Sequence, residues 1–290
     1  MSQKVNDEYP GKAPVMSDKE LKKIATAKYN TKTAEDPEAQ VFDFPTEIVE
    51  LPSKGKLYAE GHPLRGGTIE MKYMTAKEED ILTNQSFIKN GVVLDKLFRA
   101  LIVTPVEYND ILLCDKNAIM IAARVLGYGK DYPVKAMNPE TGEEVEYIVD
   151  LTKLKEKEID WDLIQDGKNE FVFKLPACKR QVKLKILEQR DQKRMDAELK
   201  GLAKLKKTAQ VSTMMKYVIT ELDGDTDNSK IRQFVDKQLL AIDSRAIRNY
   251  VNSITPEIDL SVEIPDGESG DTFRSSLSIG LDFFWPDANL

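Results

Sequence analysis

The clearest candidates for specific chemistry in this sequence are two arginines, Arg245 and Arg248. They lie three residues apart in the segment DSRAIRNY, which begins at Asp243. If Asp243 caps a helix at this point, the two guanidinium groups lie one turn apart on the same helix face. Such a pair can bind carboxylates or backbone carbonyl groups of another protein. An ordinary solvated helix surface has the same spacing, so the pattern leaves both interpretations open.

A second candidate is the aromatic run Phe283, Phe284 and Trp285. Successive residues of a strand point to opposite faces, so these three side chains cannot all lie on one side. At least one of them must contact another element or another chain. Two interpretations stay open. Either the tail folds back and closes the chain's own core, or it anchors a partner, because buried aromatic side chains dominate binding interfaces.

The sequence offers little for catalysis or metal binding. The one histidine, His62, lies in a Gly-His-Pro turn, so a zinc site with two histidines cannot form and any catalytic triad would depend on this loop residue. Cys114 and Cys178 belong to no CxxC motif, and we expect them to be reduced thiols. Nucleotide-binding glycine loops and the GxSxG and HExxH motifs are missing from the sequence. We therefore expect no enzyme activity, no cofactor and no metal.

Composition narrows the classes of partner. The 290 residues include 42 Lys and Arg against 49 Asp and Glu, a net charge of −7. Proteins that coat nucleic acid are basic, so nucleic acid is not an expected partner. Acidic residues also interleave with the basic ones in segment 188–207, which favours a solvated helix over a nucleic-acid-binding face. The longest apolar stretches, Ala118–Ala123 and Ala100–Val103, are too short for a bilayer, and we expect a soluble cytoplasmic protein without membrane contact.

Hydrophobic patterning predicts an α+β fold in which helical clusters alternate with several β-hairpins and the two halves resemble each other. Thr75 and Glu78 have the spacing of a capping box and predict the start of a helix. A further helix is predicted from Asp115, as its cap, to Leu126. These elements are the ones that must position the candidate residues.

Two of the predicted hairpins look alike. One is formed by strands over 132–137 and 143–151, and the other by strands over 258–264 and 273–284. Both turns contain Pro and Gly, which suit the backbone of a tight turn. The two hairpins are therefore candidates for distant copies of one unit.

The same reading divides the chain into three parts. Residues 1–40 are polar and predict a flexible N-terminal arm, which either wraps a neighbour or is a disordered terminus. Residues 41–155 predict an N-terminal α+β domain. Residues 156–290 predict a C-terminal hairpin-plus-helix domain that carries the aromatic tail.

Several segments together carry a family resemblance over residues 41–290. In chain order they read VELPSKGKLY, GGTIEMKYMTAKEEDILTNQSFIKNGVVLDKLF, ILLCDKNAIMIAARVLGYGKDY, LLAIDSRAIRNYVNSITPEIDL and FFWP. They resemble the baseplate hub proteins of T-even-type contractile-tailed phages. Members of that family often carry CPxCG at hairpin tips, but the tips here, over 137–142 and 264–270, contain no cysteine. A thiolate zinc site therefore cannot form at either tip.

The resemblance implies a phage structural or assembly protein that acts by protein–protein recognition while the baseplate hub is built in the host cytoplasm. Other baseplate or tail proteins are the implied partners, and they would be met by the Arg245 and Arg248 face, the aromatic tail and the arm. A homo-oligomer and retention in the virion tail are left open. The alternative is a tail-assembly chaperone that binds the tape measure transiently and is absent from the mature virion.

Overall fold

The computed structural model describes residues 45–265 and 272–284, and these belong to one compact unit. Helices and small antiparallel sheets make up this part of the chain, which confirms the α+β prediction. The arm expected over 1–40 and the side chain of Trp285 lie outside the described residues.

The first half of the fold, which we call repeat A, runs from the first strand to the end of the first long hairpin. Its elements are β1 (Thr46–Glu50), β2 (Thr68–Lys72), α1 (Ala76–Thr83), α2 (Gln85–Asn90), α3 (Val93–Leu101), α4 (Leu113–Tyr128), β3 (Asp131–Met137) and β4 (Glu144–Asp150). β1 pairs with β2 and β3 pairs with β4, both antiparallel. The predicted capping box of Thr75 and Glu78 is confirmed at the start of α1.

The second half, repeat B, has a similar order of elements. These are β5 (Phe171–Lys174), β6 (Gln181–Leu184), α5 (Gln189–Lys204), α6 (Gln210–Val218), β7 (Ile219–Leu222), α7 (Asn228–Lys237), α8 (Ala241–Ile254), β8 (Ser261–Pro265) and β9 (Thr272–Ser276). β6 lies between β5 and β7, and β8 pairs with β9. The bridge from Met71 to Ile102 in repeat A corresponds to the pairing of Leu184 with Ile219 in repeat B.

The two repeats also share the way their first helix begins. In each repeat a capping box starts the helix that follows the second strand, and the acid of that box is ion-paired to a lysine near the end of the strand. The pair is Lys72 with Glu78 in repeat A, at 2.8 Å, and Lys185 with Asp191 in repeat B, at 2.6 Å. This shared detail indicates that the two halves are versions of one structural unit.

The prediction that Asp115 caps a helix is wrong. α4 begins two residues earlier, at Leu113, after the extended residue Leu112. The carboxylate of Asp115 instead accepts hydrogen bonds from the Ser53 N–H (2.9 Å) and Oγ (2.8 Å) and from the Tyr58 hydroxyl (2.8 Å). The start of α4 is therefore set by tertiary contacts with the β1–β2 connection, which no local pattern contains.

One hydrophobic core joins the two repeats. Its buried members include Leu97, Phe98 and Ile119 from repeat A and Val182, Phe234 and Ile247 from repeat B. The division of the chain near residue 155 stays a prediction, and the residues on its two sides share this core.

Candidate partner-binding groove

The N-terminal end of α8 is fixed by a buried carboxylate. Asp243 is the third residue of the helix rather than its cap, because α8 begins at Ala241, so the prediction of a cap at Asp243 is wrong. Its Oδ1 accepts a hydrogen bond from the Ala177 N–H (2.7 Å) and its Oδ2 accepts one from the Cys178 N–H (3.1 Å). Since both donors lie in the β5–β6 turn, this contact determines which face of α8 is turned outward.

Arg245 and Arg248 lie on the exposed side of α8, three residues apart. Within the described part of the chain, neither guanidinium forms an ion pair or a hydrogen bond. An arginine without an internal partner keeps its five N–H donors for water or for another molecule. Binding of a partner by these two residues stays a prediction.

Arg248 lines a groove of about 510 Å³ between the start of α6, the end of α7 and the start of α8. We call this the α8 groove. Its apolar lining residues include Val211, Met215, Val235 and Leu239. The lining thus combines an apolar surface with one cationic side chain.

Ser244 adds an unsatisfied polar group to the α8 groove. The residue lines the groove, and its Oγ is buried with no hydrogen-bond partner among the described residues. Buried hydroxyl groups are normally hydrogen-bonded, because leaving one unpaired costs free energy. An unpaired hydroxyl close to an exposed arginine favours a ligand that brings polar groups as well as apolar ones.

Two large, exposed apolar residues are sequence neighbours of a residue that lines the groove. Leu240 is 50% exposed and Ile242 is 61% exposed, and they flank the lining residue Ala241. Neighbouring exposed apolar residues are typical of a surface that another protein covers. The arrangement as a whole suits recognition of a protein segment that carries both apolar and acidic side chains.

The aromatic tail is turned inward. Phe283 and Phe284 are 0% and 1% exposed, and the ring of Phe283 lies 4.8 Å from that of Tyr132. The Arg124 side chain also donates a hydrogen bond from Nε to the Phe283 carbonyl oxygen (3.2 Å). These two aromatic residues close the chain's own core and present no surface to a partner. The third member of the predicted anchor, Trp285, lies outside the described residues.

The histidine and the buried cysteine, which could take part in chemistry, lie in structural positions. His62 Nδ1 accepts a hydrogen bond from the Leu64 N–H (3.1 Å), and the His62 ring stacks on Tyr58 at 4.5 Å. Burial lowers the pKa of His62 and raises the pKa of the Cys114 thiol well above its usual value. Among the described residues, no three His, Cys, Asp or Glu side chains are placed to hold a metal ion.

Sequence reasoning missed the buried cluster around Asp115. Tyr58 donates to its carboxylate and accepts a hydrogen bond from the Leu112 N–H (3.1 Å). Burial raises the pKa of Asp115 to about 6, although the hydrogen bonds from Ser53 and Tyr58 lower it. The signal lay in the segment LPSKGKLY, which supplies both donors, but nothing in the sequence pairs that segment with α4.

The basic residues of α5 are partly engaged within the molecule. Lys193 forms an ion pair with Asp95 (3.0 Å), and Arg190 forms one with Asp110 (3.0 Å). These two cations are therefore paired with acids of the same chain. Separately, none of the helices in the described residues has the length and hydropathy needed to cross a membrane.

Comparison with known families gives one match. The model of the family described as T4 bacteriophage base plate protein matches residues 44–284 of this chain. That range contains every element described above and the whole α8 groove. Searches among curated proteins and among solved structures gave no match.

Proposed function

The chain belongs to the T4 bacteriophage base plate protein family, and we propose that within the baseplate it acts as a hub structural or assembly protein through protein–protein recognition. Membership in the family supports a baseplate-associated structural or assembly protein. Its partners are then other phage tail or baseplate proteins, met in the host cytoplasm during assembly and kept in the virion tail if the protein is retained.

The observation that carries this proposal is the α8 groove. It offers an apolar lining, together with an arginine and a buried hydroxyl that have no hydrogen-bond partner among the described residues. Interfaces gain affinity from desolvated apolar contacts and specificity from polar groups that find partners only in the complex. The groove therefore supports recognition of a protein segment.

A second function remains a candidate because the same groove could hold a client only transiently. In that case the chain is a tail-assembly chaperone that binds the tape measure and leaves before the particle matures. An apolar groove open to solvent suits either a permanent partner or a client. The two functions therefore differ in whether the protein is retained in the mature virion.

Quantitative mass spectrometry of purified phage particles, beside lysate of infected cells, tests this proposal. A fixed low copy number per particle supports the structural role. Abundance in lysate and in partly assembled baseplates, with absence from particles, supports the chaperone. Absence from both particles and partly assembled baseplates would contradict the proposed function.

The same measurement on a variant phage tests the groove. Arg248→Glu reverses the charge in the groove, and we expect it to lower incorporation of the protein, or its recovery with baseplate intermediates, at least tenfold. Arg194→Glu on α5 is the matched control, because Arg194 is also an exposed arginine but does not line the groove. Equal losses for the two variants would exclude a specific role of the groove.

A further inference from the structure

The α8 groove has a counterpart in repeat A, and there a helix of repeat B lies over it. The counterpart is a cleft between the starts of α3 and α4, which correspond to α6 and α8. Asp95, Lys96 and Lys116 line the repeat A side of this cleft. The opposite wall is α5, whose residues Gln189, Gln192 and Lys193 face the cleft. The two repeats thus differ in whether this surface is covered.

Backbone hydrogen bonds fix the start of α5 against the start of α4. The Leu113 N–H donates to the Leu187 carbonyl oxygen (2.8 Å), and the Gln189 N–H donates to the Ile111 carbonyl oxygen (2.9 Å). The bonds form an antiparallel bridge centred on Leu112. The ion pairs of Arg190 and Lys193 described above extend the same contact along α5. This is the interface between the two repeats.

The matching positions of repeat B are exposed. Leu112 and Leu240 are both extended residues directly before their helices, and Cys114 and Ile242 are both second residues of those helices. Leu112 and Cys114 are 2% and 4% exposed, whereas Leu240 and Ile242 are 50% and 61% exposed. The apolar pattern is thus present in both repeats, but among the residues that the structure describes only the copy in repeat A is covered by another element.

The backbone shows the same difference. The Leu113 N–H donates a hydrogen bond to the carbonyl oxygen of Leu187, two residues before α5 begins. Among the described residues, the equivalent N–H of Ala241 has no acceptor. The start of α8 therefore presents a copy of the surface that repeat A uses inside the molecule, and no other described element covers this copy. A surface of this kind fits a segment that resembles the start of α5.

Within the described part of the chain, the start of α1 is such a segment. α1 is the counterpart of α5, because both begin with a capping box whose acid is ion-paired to a strand lysine. Gln189, the first residue of α5, is 2% exposed, whereas Ala76, the first residue of α1, is exposed. Among the described residues, nothing therefore covers the α8 groove or the start of α1.

We propose that the α8 groove of one chain binds the start of α1 of a second copy of this chain. This inference names a partner for the groove, and it rests on the proposed function only in treating the groove as a binding surface. The contact repeats between chains the interface that joins repeat A to repeat B. In this contact the Ala241 N–H takes the place of the Leu113 donor. The Ala76 N–H takes the place of the Gln189 donor.

Charge complementarity supports this partner. Where α5 presents Gln192 and Lys193, α1 presents the exposed acids Glu79 and Asp80 at the same helix positions. The lining of the α8 groove contains one cation, Arg248, and no acidic residue. Acids on α1 facing arginine on α8 favour this pairing between chains.

A contact between two different surfaces of identical chains is head-to-tail. Such contacts close into a ring when the rotation between neighbours allows it and otherwise continue as an open filament. Purified full-length protein is therefore expected to have a mass above the 32.8 kDa of one chain, and to increase in mass with concentration until a ring is complete.

Two variants that each block one surface test the proposal in solution. Ile242→Glu places a charge at the groove end of the contact, and Ala76→Arg places bulk and positive charge at the α1 end. Both residues are exposed in the single chain, so both variants should fold. Each change is expected to raise the Kd of self-association at least about 100-fold. Val172→Glu, at an exposed apolar residue of β5, is the matched control.

Sedimentation velocity at about 100 μM, where a contact of modest affinity is populated, reads the result. We expect association of the wild type and of Val172→Glu, monomers of each blocking variant alone, and a species of twice the monomer mass when the two blocking variants are mixed. Only one contact can form in that mixture. It joins the intact groove of the Ala76→Arg variant to the intact α1 start of the Ile242→Glu variant.

Three results overturn the proposal: a monomeric wild type at this concentration, a blocking variant that still associates alone, or a mixture that stays monomeric. None of these bears on whether the protein is present in phage particles. A monomeric wild type together with a fixed copy number in particles would leave the proposed baseplate function in place and assign the groove to a different baseplate protein.

Discussion

Asp115 shows how a single residue couples burial to charge in this molecule. Its carboxyl group is 0% exposed and receives hydrogen bonds from Ser53 and Tyr58. Burial disfavours the charged form more than these bonds favour it, so the pKa rises from 3.8 to about 6. The folded chain therefore holds this proton more tightly than the unfolded chain does. The resulting stabilisation is complete below about pH 3.8 and is lost as the pH rises through about 6.

The comparison of the wild type with Asp115→Asn isolates this effect from the other titrating groups. The free energy of unfolding of the wild type relative to the variant is expected to fall by up to about 3 kcal/mol between about pH 4 and pH 7. Urea denaturation at several pH values measures it. A difference that stays constant across this range would contradict a raised pKa in the folded protein.

At the scale of elements, the connection between β1 and β2 is folded tightly on itself. Gly55 has a φ of +73°, and a Cβ at this position would lie 2.1 Å from the backbone oxygen of Arg65. The Leu51 N–H also donates to the Gly67 carbonyl oxygen (2.9 Å). This compact connection supplies the donors that hold Asp115, so its backbone geometry determines where α4 begins.

Gly55→Ala is expected to lower the free energy of unfolding by at least about 3 kcal/mol, because the methyl group meets backbone atoms that cannot move independently. Gly61→Ala is the matched control. Gly61 also has a positive φ, +81°, but no atom lies within 4 Å of an added Cβ. That variant should lose only about 1 kcal/mol. Equal losses in denaturant unfolding would show that the close approach at Gly55 has no energetic role.

At the scale of the whole molecule, the end of the described chain closes a core that both repeats share. Phe283 lies against Tyr132 of β3, and Arg124 of α4 holds its carbonyl oxygen. The residues of repeat A are thus covered by a segment that follows repeat B. Neither half encloses this part of the core by itself.

Phe283→Ala is expected to lower the free energy of unfolding by about 3–5 kcal/mol, the usual cost of removing a buried aromatic side chain. Tyr147→Ala on β4 is the control, since Tyr147 is 37% exposed and should cost about 1 kcal/mol or less. Thermal or urea unfolding of the purified chain measures both. A near-neutral Phe283→Ala would contradict a role of this ring in closing the core.

Local sequence determined much of the secondary structure. The capping box at Thr75 and Glu78 and the alternating strands around the Pro-Gly turns depend on neighbouring residues, so their patterns predicted α1 and the hairpin of β3 with β4. The spacing of Arg245 and Arg248 likewise predicted one helix face. The starts of α4 and α8 were mispredicted because Asp115 and Asp243 bind distant segments, and an aspartate near a helix start looks the same whether it caps the helix or binds elsewhere.

Hydrophobic patterning predicted an α+β chain with two similar-looking halves, but which of two similar segments faces solvent depends on contacts that the pattern does not contain. The segment before and into α4 reads ILLCD and the one before and into α8 reads LLAID. Leu112 is buried and Leu240 is exposed, since α5 lies against the first segment and no described element takes that place at the second. Burial is a property of what packs against a residue, and the helix that covers Leu112 comes from more than seventy positions further along the chain.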